Sequence, residues 1–346
     1  MKAVAYKEKG SFELEERPVP QLQDERDAIV RVTLSSICSS DLHIKDGFVP
    51  RAVPGVIVGH EMVGVVEKVG SEVKTVKPRD RVAVNVETFC GECFFCKRGF
   101  VNNCSDVHGG WALGCRIDGG QAEYVRVPYA DNGLTKIPDS VTDRQAIFTG
   151  DILSTGYWAA KLGEIHHGDT VAVLGAGPTG LCTMMCARLF SPARIIAVDL
   201  DDQRLKLAKE QGWADVVLNP KTMEIEREIR ELTEGRGADV VMEAAGGEDT
   251  FQTAWKIARP NAIVVIVAMY EKPQLLPLPD MYGKNLTFKT GGVDASCCGE
   301  ILSHIERGEL DTTPLITHEY QLADAMEAYE LFEQKKDGVM KVVLQP

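Results

Sequence analysis

The hydrophobic and polar positions change their rhythm about halfway along the chain. Over the first 150 residues the apolar positions fall in short stretches typical of strands. In 27–36, for example, Ala28, Val30 and Val32 alternate with other positions, although Ile29 interrupts a strict period of two. The stretches that predict strands are 2–6, 12–16, 27–36, 56–70 and 81–86. Such a run of short strands predicts a partly open, β-barrel-like domain.

The second half alternates between strand and helix patterns. Predicted strands at 170–174, 194–199, 216–218, 238–243 and 263–268 are separated by predicted helices at 181–189, 205–211, 224–233 and 251–257. This order is typical of a doubly wound parallel sheet. Two more helices are predicted at 299–307 and 323–334. The 346 residues suffice for two domains, each with its own core.

The composition and net charge of the chain exclude some classes of binding partner. The chain is 44% hydrophobic and 26% charged, with a formal net charge of −13, which argues against nucleic acid or an anionic membrane as the main partner. Charged residues interrupt the first nine positions, and the longest apolar run, 262–269, is too short to span a bilayer. We therefore expect a cytoplasmic protein with reduced cysteines.

Four of the ten cysteines form a closely spaced group within 88–106. They are Cys90, Cys93, Cys96 and Cys104. Four thiolates at this spacing can enclose one zinc ion tetrahedrally with no open position, as in structural zinc sites. An iron–sulfur cluster is the alternative for four cysteines. The adjacent Lys97 and Arg98 and the lack of a following Cys-Pro pair favour zinc.

A second candidate metal site begins at Cys38. Taken alone, this residue fits a small buried apolar position. However, Ser40 and His43 follow within five residues, where a hydroxyl and an imidazole can pass a proton outwards. His60 and Glu61 come about twenty residues later between two glycines, Gly59 and Gly64, which suit close backbone approach. These residue types suit a catalytic zinc site with an open coordination position.

A glycine motif directly follows the strand at 170–174. Its residues are Gly175, Gly177, Pro178, Thr179 and Gly180, and an apolar helix comes next. Asp199 closes the following strand, about twenty residues on, which completes the pattern of a dinucleotide-binding site. A carboxylate there accepts hydrogen bonds from the ribose and repels a 2′-phosphate, so the motif predicts NAD. Arg204 faces either the adenine side or solvent.

Together these motifs resemble the zinc-dependent medium-chain dehydrogenases, the zinc-containing alcohol dehydrogenase family. The stretch 118–138 is most similar to the branch of formaldehyde-dehydrogenase-like and secondary-alcohol dehydrogenases, although the chain lacks room for the long insertion of the glutathione-independent formaldehyde enzymes. The resemblance implies an α/β protein of two domains. A GroES-like catalytic domain would comprise 1–153 and 296–346, and a Rossmann cofactor domain 154–295.

The resemblance also implies roles for individual residues. Cys38, His60 and Asp151 would be the ligands of a catalytic zinc, with Glu61 as a possible alternate ligand. Asp151 by itself would be interpreted as a helix N-cap. Ser40 and His43 would relay the proton of the alcohol.

For the cofactor, the resemblance places Ala244, Val267 and Met269 beside the nicotinamide, and Lys341 as a cation offered to the cofactor. Two zinc ions per subunit and NAD are expected, with a small alcohol or carbonyl compound as substrate. We also expect a homo-oligomer, a tetramer or alternatively a dimer, in which 263–269 could pair as an edge strand between subunits.

Several other functions share parts of this pattern. A zinc-free quinone or enoyl reductase would not need Cys38, His60 and Asp151, whereas a formaldehyde dehydrogenase or dismutase would act on formaldehyde without glutathione. A non-enzymatic protein would bind NADH without turnover, and a polyol or hydroxysteroid dehydrogenase would share the whole site. The small Ser39 and Ser40 favour secondary alcohols and diols, with Phe48, Trp111 and Cys297 as further candidates for the substrate pocket.

Overall fold

A computed structural model describes residues 1–346, which form two compact units. The first comprises Met1–Ser154 and Val293–Pro346, and the second is Thr155–Gly292. The domain limits predicted from the sequence, at 153/154 and 295/296, lie close to these positions. No helix is both long and apolar enough to cross a membrane.

The helices and strands of the N-terminal part are mostly short. In chain order they are β1 (Lys2–Glu8), β2 (Ser11–Glu16), β3 (Ala28–Ile37), α1 (Ser39–Lys45), β4 (Met62–Val69), β5 (Arg81–Val84), β6 (Glu87–Thr88), β7 (Gly110–Trp111), β8 (Tyr124–Val127), α2 (Ala130–Gly133), β9 (Leu134–Lys136), α3 (Asp143–Ala146) and α4 (Ile152–Leu162).

The second unit alternates strands and helices. Its elements are β10 (Thr170–Leu174), α5 (Pro178–Arg188), β11 (Arg194–Val198), α6 (Asp202–Glu210), β12 (Val216–Leu218), α7 (Ile225–Leu232), β13 (Ala238–Glu243), α8 (Thr250–Ile257), β14 (Ala258–Ile266), α9 (Leu278–Met281) and β15 (Thr287–Thr290). The chain ends with α10 (Cys298–Glu306), β16 (Ile316–Gln321), α11 (Ala325–Glu333) and β17 (Lys341–Gln345).

A seven-stranded sheet forms the framework of the first unit. Its order is β16-β17-β3-β4-β5-β9, and β8 pairs with the free part of β3. The apolar side chains of β3, β4, β5 and β8 meet in one buried core that includes Val30, Val66, Val82 and Val125. Antiparallel pairing of Val342 with Ile37 and of Leu344 with Ser35 brings the end of the chain beside the start of α1.

Two glycines around His60 have the close backbone approach that the sequence predicts. Gly59 has φ +92°, and a Cβ there would lie 2.5 Å from Cγ of Gln121. A Cβ on Gly64 would lie 2.3 Å from the carbonyl oxygen of Arg31 on the neighbouring strand. Because the chain turns at Gly59, β4 begins only at Met62, and the predicted strand 56–70 is too long.

The second unit has the predicted doubly wound sheet. All six strands are parallel, in the order β12-β11-β10-β13-β14-β15, and the order reverses between β10 and β13. This is the strand order of the Rossmann fold, in which ligands bind at the carboxyl ends of the strands near the reversal. The predicted edge at 263–269 is wrong, because β14 lies between β13 and β15, which makes β15 the edge strand.

Candidate metal and cofactor sites

Three potential metal ligands from distant parts of the first unit come together. Cys38 precedes α1, His60 precedes β4, and Asp151 directly precedes α4. Oδ2 of Asp151 lies 3.8 Å from Sγ of Cys38 and 3.3 Å from Nε2 of His60, and the three donor atoms all lie within 4.8 Å of one another. Buried sulfur, nitrogen and carboxylate donors in this arrangement suit zinc, and three protein ligands leave the fourth position open.

Asp41, which the sequence analysis missed, orients the histidine. Its Oδ1 lies 3.2 Å from Nδ1 of His60, and its Oδ2 accepts the backbone N–H of Cys38 at 2.9 Å and the Gln121 amide at 3.1 Å. With Nδ1 facing this carboxylate, Nε2 is directed towards Asp151 and Cys38, as in carboxylate–histidine–zinc sites. The spacing Cys-x-x-Asp was the available signal, since the acid falls in the first turn of the helix that Cys38 begins.

The charges of the ligand group depend on one another. Burial lowers the pKa of His60, but Asp41 and Asp151 outweigh this effect and raise it well above its ordinary value. Burial likewise raises the pKa of Asp151, yet the nearby His60 lowers it below its ordinary value overall. A metal ligand must be the neutral imidazole, so metal binding here releases a proton.

Glu61 and Lys341 form a buried ion pair in the same unit. Oε2 of Glu61 accepts hydrogen bonds from Oγ of Ser36, at 2.9 Å, and from Nζ of Lys341. Nζ of Lys341 also donates to the carbonyl of Ile37 at 2.8 Å, and the side chains of Lys341 and Glu61 are 1% and 0% exposed. Burial raises the pKa of Glu61, against the opposing effect of Lys341.

Lys341, which the resemblance offers as a cation for the cofactor, is held by this pairing. Two of its three N–H groups donate to Glu61 and to the carbonyl of Ile37. It thus neutralises Glu61, and its role towards the cofactor stays a prediction. The other oxygen of Glu61, Oε1, is buried and has no hydrogen-bond partner, which fits the predicted alternate metal ligand.

The predicted relay residues share one helix. Ser40 and His43 lie three residues apart on α1, so their side chains project from the same face. Oγ of Ser40 lies 3.7 Å from Sγ of Cys38, and the His43 ring packs edge-on near Phe48 with centroids 6.3 Å apart. Both relay residues are half-buried, as a path from a metal site to solvent requires.

An aromatic residue contacts the metal ligand His60 and has an acidic cross-strand neighbour. The Trp111 ring meets the His60 ring edge-on, with centroids 5.3 Å apart. Glu87, which the sequence analysis missed, pairs with Trp111 across β6 and β7. Its only sequence signal was an acid within the otherwise apolar and neutral stretch 82–89. Of the other predicted pocket residues, Ser39 and Phe48 are exposed and Cys297 is half-buried.

The four clustered cysteines also converge on one point. Their sulfurs lie 3.4 Å apart for Cys93 and Cys96, 3.6 Å for Cys90 and Cys104, and 4.0 Å for Cys90 and Cys96. Four thiolates around one zinc ion are spaced by roughly 3.8 Å. Backbone N–H groups of Cys93 and Cys96 point at the sulfurs three residues before them, at 3.4 and 3.5 Å. The group therefore suits a closed structural zinc site.

In the second unit, the glycine motif forms a cradle between β10 and α5. Gly175 has φ +101°, and a Cβ on Gly180 would lie 2.0 Å from the carbonyl oxygen of Gly175. At Gly177 the nearest atom to a Cβ is Nη1 of Arg204, at 3.7 Å. Pro178 and Thr179 open α5, whose N-terminus faces anions favourably. The space at Gly177 fits the close approach of a pyrophosphate.

Asp199 stands directly beyond β11 and braces this cradle. Its Oδ2 accepts the backbone N–H of Ala176 at 2.6 Å, and its Oδ1 accepts that of Asp201 at 2.8 Å. Each carboxylate oxygen keeps a further lone pair for a ribose hydroxyl. Nε of Arg204 lies 3.8 Å from Oδ2 of Asp201. The guanidinium is therefore held near Asp201 and near the glycine cradle.

The residues predicted beside the nicotinamide follow the neighbouring strands β13 and β14. The N–H of Val267 donates to the carbonyl of Glu243 at 2.7 Å, which joins the two strand ends. Ala244 is half-buried, and Met269 is 50% exposed. The buried Glu243, which the sequence did not single out, shapes this loop, because its Oε1 accepts the N–H groups of Ala245 and Gly246 at 2.9 and 2.8 Å.

An open zinc-type ligand set in one unit and a dinucleotide cradle in a Rossmann sheet in the other define a metal-dependent, nicotinamide-linked dehydrogenase. Residues 24–139 match the alcohol dehydrogenase GroES-like domain, and residues 178–300 match the zinc-binding dehydrogenase domain. The chain belongs to the zinc-dependent medium-chain alcohol dehydrogenase family. It is thus an oxidoreductase with a GroES-like and a Rossmann domain, as the sequence predicted.

Individual relatives match over nearly their whole length. An alcohol dehydrogenase of Cupriavidus necator is 37% identical, with 100% of this chain and 99% of the relative aligned. The NADP-dependent isopropanol dehydrogenase of Thermoanaerobacter brockii is 34% identical over 92% of each chain. Among solved structures, the alcohol dehydrogenase TADH from Thermus sp. ATN1 has a TM-score of 0.92 at 36% identity, covering 100% of this chain and 99% of that one.

Proposed function

We propose that this chain is an NAD-linked dehydrogenase that reversibly oxidises secondary alcohols or diols to ketones, with a catalytic and a structural zinc in each subunit. The observation that carries the proposal is the meeting of Cys38, His60 and Asp151 within 4.8 Å. A zinc ion bound there would act as a Lewis acid towards the substrate oxygen, and the nicotinamide would accept the hydride.

The chain's own residues position and deprotonate the substrate. Asp41 holds His60 in the orientation that presents Nε2, and Ser40 takes the hydroxyl proton and passes it towards His43 and solvent. Glu61, whose Oε1 lacks a partner, is available as an alternate ligand during exchange at the open position. Glu61 and Lys341 cancel each other's charge, which keeps this ligand group close to neutral overall when zinc is bound.

Asp199 supports NAD as the cofactor. A carboxylate at this position accepts hydrogen bonds from the adenosine ribose and opposes a 2′-phosphate. The isopropanol dehydrogenase relative is NADP-dependent by name, so the cofactor does not follow from family membership. Asp199→Gly should shift the ratio of activity with NAD to activity with NADP towards NADP, measured as kcat/KM for each. An unchanged ratio would count against the ribose contact.

The substrate class rests on the small residues beside the metal ligands and on the isopropanol dehydrogenase relative. Ser39 and Ser40 are small side chains that directly follow the ligand Cys38, which favours a carbinol with a carbon on each side. The formaldehyde-dehydrogenase-like branch, and the polyol and steroid dehydrogenases, stay as alternatives from the sequence. Activity with formaldehyde in the absence of glutathione would favour the first of these.

Removal of single metal ligands tests the proposal. Cys38→Ser and Asp151→Asn should each abolish NADH formation from 2-propanol and 2-butanol, while the thermal midpoint stays near that of the wild type. Zinc content should fall from two ions per chain to one. Full activity in a variant with that zinc content would overturn the assignment. Cys186→Ala, a buried cysteine outside both groups, is the control.

A further inference from the structure

Two polar atoms beside the metal ligands are buried without a hydrogen-bond partner. They are Oε2 of Glu87 and Nε1 of Trp111, on residues that are only 6% and 9% exposed. A buried donor or acceptor that has no hydrogen-bond partner destabilises the folded protein. Each such atom in a native protein calls for an explanation, such as an ordered water, an ion or a bound ligand.

The two side chains are neighbours on the wall of the site. Glu87 lies directly opposite Trp111 in the antiparallel pair of β6 and β7, so both side chains leave the same face. The Trp111 ring in turn meets the ring of the metal ligand His60 at a centroid distance of 5.3 Å. Trp111 is therefore next to a metal ligand, and Glu87 is its cross-strand neighbour.

The charged groups around Glu87 leave its carboxyl without an ion-pair partner. Arg51 and Arg116 favour the ionised carboxylate, while Asp151 and Asp294 oppose it. Nη1 and Nη2 of Arg116 donate to the carbonyls of Val107 and Gly109, while its Nε has no partner. Burial is the largest effect and raises the pKa of Glu87 to about 8. In either protonation state the carboxyl can accept a hydrogen bond from a hydroxyl group, and Nε1 of Trp111 can donate one to it.

We propose that Glu87 and Trp111 bind a second hydroxyl group of the substrate, near the carbon that is oxidised, and so select diols or polyols over simple alcohols. This inference rests on the proposed function and specifies its substrate. In the oxidation of a diol, one carbon gives its hydride to the nicotinamide and its hydroxyl proton to solvent. The second hydroxyl stays unchanged and accepts from Nε1 of Trp111 while it exchanges hydrogen bonds with Glu87.

Substrates of equal shape isolate the second hydroxyl. In 2-butanol a methyl group replaces the primary hydroxyl of 1,2-propanediol, and 2-pentanol has the same relation to 1,3-butanediol. In 1-amino-2-propanol an ammonium group replaces the same hydroxyl. We expect the wild type to have a kcat/KM for at least one of the diols about tenfold or more above that for its matched alcohol, since a site with buried polar groups discriminates against the analogue that leaves them unpaired.

Variants then assign this preference to its residues. Glu87→Met keeps the approximate shape without the carboxyl, and it should lower the ratio of diol to alcohol kcat/KM by about 10- to 100-fold, mainly through KM. Glu87→Gln, which donates and accepts, should retain most of the ratio. Trp111→Phe should lower it by a smaller factor. Glu67→Gln, on an exposed part of β4, is the matched control and should leave the ratio unchanged.

The outcomes separate this inference from the proposed function. Equal kcat/KM for diols and matched alcohols in the wild type, or a ratio that Glu87→Met does not change in a zinc-replete, folded protein, would overturn the inference alone. A higher kcat/KM for the amino alcohol than for the diol would also overturn it, in favour of an amine. A zinc-replete protein that oxidises none of these compounds would overturn the proposed function together with this inference.

Discussion

At the scale of single residues, the metal site depends on side chains that are not metal ligands. Asp41 contacts His60, the backbone of Cys38 and the Gln121 amide, and Gln121 is in turn held by the hydroxyl of Tyr329, which donates to it at 2.8 Å. Partners of this kind fix the orientation of a ligand and raise its basicity. The geometry of the site is therefore set one contact away from the metal.

Asp41→Asn tests this dependence. The amide keeps the size of the side chain but removes the charge that faces Nδ1 of His60, and we expect zinc affinity at the catalytic site to fall by about 10- to 100-fold. Competition with a chelator measures the affinity, with Asp46→Asn at the exposed end of α1 as the control. Unchanged zinc affinity in the Asp41 variant would show that Asp41 does not support zinc binding through His60.

At the scale of helices and strands, different glycines of the motif serve packing and ligand binding. A Cβ at Gly180 would lie 2.0 Å from a backbone carbonyl, whereas one at Gly177 would meet only the end of the flexible Arg204 side chain. Gly180 is thus required by the contact of α5 with the loop after β10. Gly177 leaves a space that suits a bound ligand.

Two alanine substitutions test this division. Gly180→Ala should lower the free energy of unfolding by about 1–3 kcal/mol, because the backbone must move apart. Gly177→Ala should keep stability near that of the wild type but weaken NADH binding by at least about tenfold, since the methyl group takes the place of the pyrophosphate. Thermal unfolding and NADH fluorescence titration measure the two effects. The reverse pattern would contradict the assignment.

We expect the cysteine group to be held together mainly by a bound metal ion. Only a few apolar side chains, among them Phe89 and Val101, pack against the four cysteines. Cys93→Ser should lower the thermal midpoint by roughly 5–15 °C, which corresponds to about 2–4 kcal/mol, and should affect kcat much less. Metal analysis should find one zinc ion per chain, against two for Cys182→Ala. A variant that retains two zinc ions and the wild-type midpoint would contradict a structural site.

At the scale of the whole molecule, the second unit ends in a free edge strand with an apolar segment beside it. β15 pairs only with β14. Just before it, Leu275, Leu276, Leu278 and Tyr282 are exposed, with Tyr282 at 93%. Free strand edges and contiguous exposed apolar side chains mark surfaces that associate. This segment is where we expect the subunits of the predicted homo-oligomer to meet.

Charge placed in this segment should weaken the oligomer. Leu278→Lys should shift the protein from a tetramer or dimer to smaller species, because a buried ammonium without a partner opposes association. Sedimentation velocity at several concentrations measures the change, and Met223→Lys, an exposed apolar residue elsewhere in the same unit, is the control. A wild type that sediments as a monomer, or a variant of unchanged mass, would refute the interface.

Much of the fold was predictable because its signals are local. Strand and helix periods reveal the doubly wound sheet, and α10 and α11 lie within two residues of their predicted limits. Positions 56–61 were harder, because the positive φ of Gly59 redirects the chain although the sequence continues to resemble a strand. The edge strand was misplaced for another reason. The short and weakly apolar β15 gives little periodicity, so only the completed sheet shows that β14 has a neighbour on both sides.

The order of amino acids establishes which chemical groups are present and how they are spaced locally: four cysteines near one another, a glycine motif after a strand, and an acid about twenty residues later. Which distant side chains become partners depends on the packing of the folded chain. It placed Asp41 beside His60, Lys341 against Glu61, and Glu87 opposite Trp111. The physical reason is that periodicity and spacing constrain neighbours in the chain, whereas buried polar contacts depend on how strands and helices pack.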